Sequence, residues 1–130
     1  MRKNKTPESA QLIASHTSRT LPNTVKNLMV ESDNLTAELL TKTIGFEFDG
    51  LQGTWNNGLL QIRAFLYDSV GMDTAAFSIR DGSGVSRYNY SSPNHFIQLL
   101  TWAYNHPEIR DQFLFVALLM KFSYLKLPHY

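Results

Sequence analysis

The chain contains no cysteine. This excludes a disulfide framework and any thiolate metal site, though it leaves the compartment open. Charge is sparse as well. Charged residues make up 18%, the net charge is +1, and no basic run is long enough to cover a face. Nucleic acid therefore finds no electrostatic footprint. Long apolar runs are also missing. The longest, Phe113 to Met120, has eight residues, against the roughly 20 needed to span a bilayer. Met1-Arg2-Lys3-Asn4-Lys5 carries the charge of a signal n-region, but a mostly polar stretch follows it, and Leu12-Ile13-Ala14 is too short for an h-region. The four histidines, His16, His95, His106 and His129, lack metal-ligand spacing. The expectation is no metal, no cofactor, no nucleic acid and no membrane span.

Apolar material is sufficient. At 130 residues with 43% hydrophobic and 12% aromatic side chains, the chain can form one domain or a piece of one. Residues 1–11 read as a polar, disordered lead-in, with a short strand expected around Ala10 to Ser15. Thr20 can cap a first helix carrying Pro22 in its first turn and running to about Val30. Leu21, Val25, Leu28 and Met29 give it helical periodicity. A polar break, Glu31-Ser32-Asp33-Asn34, separates it from a second helix expected to start near Asp33 and stop at Gly45 as a C-terminal glycine. Phe46 to Asn57 reads mostly as loop. The third helix has the clearest stripe, Trp55, Leu59, Ile62, Leu66 and Val70, closed by Gly71. Ala75 to Ile79 reads as a strand, and Asp81-Gly82-Ser83-Gly84 as a turn. Ser92-Pro93 opens a fourth helix that His106-Pro107 breaks, and Pro107 opens a fifth segment. Trp55 and Trp102, on apolar stripes, are expected in the core.

Two motifs carry chemistry. Ser32-Asp33-Asn34 stands at a helix junction, where side chains can face a cleft, and Ser-Asp-Asn is one of three motifs of the serine penicillin-recognising enzymes. A tripeptide is a loose match, and Asp33 also serves as a plain N-cap. The longer segment Arg80-Asp81-Gly82-Ser83-Gly84-Val85-Ser86-Arg87 resembles the Asp-Gly-Ser-Gly-Leu-Ser-Arg stretch of the D-alanyl-D-alanine carboxypeptidases that are class C low-molecular-mass penicillin-binding proteins. Val85 replaces the leucine. Leu12 to Ser18, Ser32-Asp33-Asn34-Leu35 with Ala37-Glu38, and Ser92-Pro93 to His106-Pro107 extend the likeness to about Leu12–Leu114.

The resemblance implies an α+β, mainly helical piece, the helical lobe of the serine β-lactamase/penicillin-binding (transpeptidase-like) fold with one or two short strands. It divides the chain into the lead-in, a partial penicillin-binding domain over 12–114 and a divergent tail over 115–130. It also implies roles. A Ser-x-x-Lys serine attacks the penultimate D-alanine carbonyl and forms an acyl-enzyme that water cleaves. Ser32 would relay a proton between the lysine and the leaving amine, since a hydroxyl both donates and accepts. The Asn34 carboxamide would hold substrate and lysine. Asp33 would be structural. Asp81 and Ser83 would line the cleft or only hold their turn. Partners would be peptidoglycan peptide stems and β-lactams, outside the cytoplasmic membrane.

Other parts of that machinery do not match. No Ser-x-x-Lys occurs among residues 1–31, and no Lys-Thr-Gly follows the matched region. Ser123-Tyr124-Leu125-Lys126 fits the first pattern only loosely and in the wrong order along the chain. The expectation is an internal fragment that is inactive alone. The rivals are a non-catalytic binding protein that reuses the helical piece, and a class A β-lactamase fragment. Against the latter, Glu108 is followed by Ile109-Arg110-Asp111-Gln112 and not by that enzyme's Glu-x-x-Leu-Asn pattern.

Overall fold

Four helices follow the sequence periodicity closely: α1 (Leu21–Glu31), α2 (Asn34–Asp49), α3 (Trp55–Asp68) and α4 (Pro93–Tyr104). The computed structural model describes residues 9–50 and 52–114. A further helical stretch occupies 107–114. The architecture is mainly helical. The expected tail over 115–130, with Ser123 and Lys126, lies outside the described residues, as does most of the lead-in.

The strand expectations need correction. Ala10 to Ser15 forms no strand and is exposed throughout, because a lone apolar alternation without a pairing partner leaves its backbone to water. The Ala75 to Ile79 stretch contributes a single antiparallel bridge, Ser78 to Tyr90. Both of its backbone bonds are made, Ser78 N–H to Tyr90 O at 2.9 Å and Tyr90 N–H to Ser78 O at 3.0 Å.

Helix α2 also differs from expectation. It runs through Gly45 to Asp49, and Gly50 (φ 67°) takes the left-handed cap. Gly45 is a packing glycine. A Cβ there would meet Gly58 N at 2.7 Å and Asn57 Cβ at 3.0 Å, and one on Gly58 would overlap the Thr41 carbonyl. The two glycines let the backbones of α2 and α3 approach closely. That pair forms the main helix contact, and α1 touches α2 more lightly.

The core is small. Leu66, Met72 and Phe77 are buried, with Ile62, Val70, Ile79 and Leu99 packed against them. The α3 stripe points inward at Leu66 and Ile62, but Trp55 at its start is 51% exposed and lies under the Lys42 ammonium, 4.1 Å from the ring centroid. Trp102 is half-buried. It meets Phe65 edge-on at 4.9 Å and stacks on His106 at 3.9 Å. His95 is buried at 8% exposure and accepts the Ser92 N–H on Nδ1 at 3.2 Å. Its ring closes the first turn of α4.

Candidate active site

The corner between α1 and α2 is built from Ser32, Asp33 and Asn34. Ser32 ends α1 with φ 54° and ψ 46°, the sole positive-φ non-glycine residue among those described. This left-handed turn lets the Ser32 and Asp33 N–H groups both reach the Leu28 carbonyl. Asp33 then caps α2. One carboxylate oxygen accepts the Thr36 N–H at 3.1 Å and the other the Thr36 hydroxyl at 2.6 Å. These bonds, the Thr36 hydroxyl first, hold the Asp33 carboxyl below its usual range. Asn34 is the first residue of α2. Ser32 and Asn34 are both exposed, and neither side chain makes a hydrogen bond to the described residues.

The Asp81 loop is organised by its own carboxylate. Asp81 accepts the Gly84 N–H at 2.8 Å, the Ser86 N–H at 2.5 Å and the Asn89 amide at 2.7 Å. Asn89 in turn accepts the Arg80 N–H at 2.7 Å. Desolvation is the largest single influence on Asp81 and raises its pKa. The Asn89, Ser86, Gly84 and Val85 hydrogen bonds together outweigh it, so the group sits below its ordinary value.

Glu38 joins the two motifs. It lies one helical turn beyond Asn34, so the two residues share a face of α2. Its carboxylate accepts the Gly82 N–H at 3.2 Å and the Ser83 N–H at 3.0 Å, across 44 and 45 residues of chain. The Ser83 hydroxyl adds a third bond. Desolvation again raises the pKa most, with a small push from Asp81. The three hydrogen bonds win and hold Glu38 below its usual value. Beneath the carboxylate, Gly82 lies flat on α2. A Cβ there would overlap the Thr41 hydroxyl and meet the Ala37 carbonyl at 2.8 Å. Thr41 is buried at 3% exposure.

The structure thus brings Asp81 and Ser83 onto the helix that Ser32-Asp33-Asn34 opens. No side-chain hydrogen bond links Ser32 or Asn34 directly to Asp81 or Ser83. Sequence alone does not mark Glu38 as a site residue. The available signal was a carboxylate at the fourth position after Asn34 together with a glycine-serine turn offering unpaired N–H groups elsewhere in the chain. Beside the loop runs a groove of about 600 Å³, lined among others by Asp81, Gly82, Asn89, Tyr90, His95 and Leu99. Among the described residues no three His, Asp or Glu side chains converge as a metal site.

Residues 1–117 match the model of the D-Ala-D-Ala carboxypeptidase 3 (S13) family. The chain belongs to this family. It is 38% identical over 100 residues to a D-alanyl-D-alanine carboxypeptidase of an Actinomadura species, a match covering 77% of this chain and 18% of that protein. It is also 30% identical over 96 residues to the D-alanyl-D-alanine carboxypeptidase DacB of Haemophilus influenzae, covering 74% of this chain and 20% of the relative. The chain therefore spans about a fifth of the length of the curated relatives it matches. In this member of the carboxypeptidase family the described residues amount to a helical corner with a docked loop.

Proposed function

We propose that residues 12–114 form the Ser-Asp-Asn wall of a serine-type D-Ala-D-Ala carboxypeptidase acting on peptidoglycan peptides, within the helical lobe of a transpeptidase-like fold. The observation that carries this reading is the Ser32–Asn34 corner itself. A hydroxyl and a carboxamide stand exposed on either side of a capping aspartate, with no partner of their own among the described residues. Ser32 has the chemistry to pass a proton between a lysine and a leaving amine. Asn34 has the chemistry to hold a substrate amide. Asp33 is occupied by Thr36 and serves the helix. Asp81 holds its turn and Ser83 faces Glu38; their part is to shape the wall. The relatives, both D-alanyl-D-alanine carboxypeptidases, support the substrate class, and the setting would be extracytoplasmic, where peptide stems and β-lactams are met.

The covalent step needs an activated serine. Because no Ser-x-x-Lys precedes Ser32, we expect this chain alone to form no acyl-enzyme. A hybrid tests the reading: residues 12–114 replace the matching stretch of the Actinomadura relative. The hybrid should be labelled by fluorescent penicillin, and Ser32→Ala should lower its acylation rate about 10²–10⁴-fold, the range of a lost proton-transfer group. An unchanged rate in Ser32→Ala removes the relay role. A stable penicillin adduct on Ser123 of the chain alone overturns the inactive reading.

A further inference from the structure

We infer that Glu38 is a positioning residue: by accepting the Gly82 and Ser83 N–H groups it sets where the Asp81–Asn89 loop stands against the face of α2 that carries Asn34. The inference rests on the reading of Ser32 and Asn34 as the working pair, and it names what holds the surface beside them in place.

Three observations carry it. The bonds are long-range, 44 and 45 residues apart, so they fix one element against another and do not merely close a local turn. The acceptor is two-pronged. One oxygen serves Gly82 at 3.2 Å and the other Ser83 at 3.0 Å, a fork that a carboxylate offers and a carboxamide does not. The loop is already in backbone contact with the helix. Gly82 leaves no room for a Cβ against Ala37 and Thr41, so a small displacement of the loop has nowhere to go except along or away from α2. Asn34, Ala37, Glu38 and Thr41 fall at three- and four-residue spacings on one helical face. A shift of the loop therefore moves the surface that stands one helical turn from Asn34 on the same face.

The alternative is a packing role, in which the Glu38 stem merely covers α2. Isosteric replacement separates the two. Glu38→Gln keeps the stem and loses one acceptor, while its amide group points a donor at an N–H. Glu38→Met keeps the stem and loses both acceptors. The test is amide hydrogen exchange and chemical shift, residue by residue, on the full chain at pH 7. In the wild type, Gly82 and Ser83 should be protected. In Glu38→Met the exchange of both should speed by about tenfold or more, the loss expected for bonds to a charged acceptor, and in Glu38→Gln that of at least the one that faces the amide group should do so. The Ser32, Asp33 and Asn34 amide and carboxamide resonances should move with them, while the Asn57 and Gly58 amides of α3 stay in place. Unprotected Gly82 and Ser83 amides in the wild type would overturn the inference. So would variants that leave Ser32–Asn34 unmoved, or a Gln variant that behaves as wild type. Penicillin labelling plays no part in this measurement, so the catalytic reading can fail while the positioning one stands, and the reverse.

Discussion

Ser32 holds a left-handed backbone that glycine adopts without penalty and a side-chain residue does not. Ser32→Gly should therefore stabilise the chain by about 1 kcal/mol, read as a higher urea midpoint. The same change removes the hydroxyl proposed as the relay, so the hybrid enzyme should slow while its scaffold gains stability. A loss of stability would show that the serine side chain contributes to the corner after all. The acidic side chains give a second prediction. Asp33, Glu38 and Asp81 all lie below their ordinary values when folded. Each then binds its proton more weakly folded than unfolded. Their contribution is complete above the unfolded values of about pH 4 and disappears as pH falls through and below that range toward the folded values. Urea midpoints should drop on acidification below about pH 4, and Glu38→Gln should flatten part of that drop. A midpoint that rises on acidification contradicts the sign. Ser32, Asp33 and Asn34 were legible as candidates because their chemistry is local to three adjacent residues. Glu38 was not, because its partners lie more than forty positions away.

The element scale turns on glycines. Gly45 reads from sequence as a helix stop, and α2 passes straight through it. The reason is in another element: Gly58 of α3 occupies the space a Cβ would need. Gly58→Ala should force α2 and α3 apart and cost about 1–3 kcal/mol, the range for overpacking, visible as a lower thermal midpoint. If stability is unchanged, the close approach of the two backbones is not tight. Gly82→Ala should be similar in size. It should also release the loop, seen as faster exchange at Ser83 with α2 still helical by circular dichroism. The capping residues were readable in advance. Asp33 before α2, Ser92 before α4 and the Pro107 break all follow from local backbone chemistry. Thr20 stands at the head of α1 as expected, though its hydroxyl makes no capping bond. The strands were less readable, because pairing depends on a partner and, among the described residues, only Ser78 and Tyr90 find each other.

At the scale of the whole molecule, few side chains among the described residues are buried and many large apolar ones are not. Leu35 is 69% exposed, Phe48 72%, Phe96 59% and Ile97 61%. Apolar grooves lie along α1, one lined by Val25, Leu40, Ile44 and Phe48. Exposed apolar surface on this scale favours association. The isolated chain should bind a hydrophobic dye strongly and sediment faster as its concentration rises. Clean monomeric sedimentation with no dye binding would count against these faces being open. Reading the flanking DNA in all frames addresses the parent enzyme: Ser-x-x-Lys upstream and Lys-Thr-Gly downstream support the carboxypeptidase reading, and their absence favours a binding protein.

The sequence by itself determined the four helices, the places where they begin and the two polar motifs, because helix periodicity and N-terminal capping act over a few residues. It also carried the family likeness, through the Asp81–Arg87 segment. Only the tertiary structure decided that Gly45 packs and does not stop, that Trp55 stays half in solvent under Lys42, and that Glu38 ties the two motifs together. These outcomes depend on which backbones come close in space, and distance along the chain does not encode that.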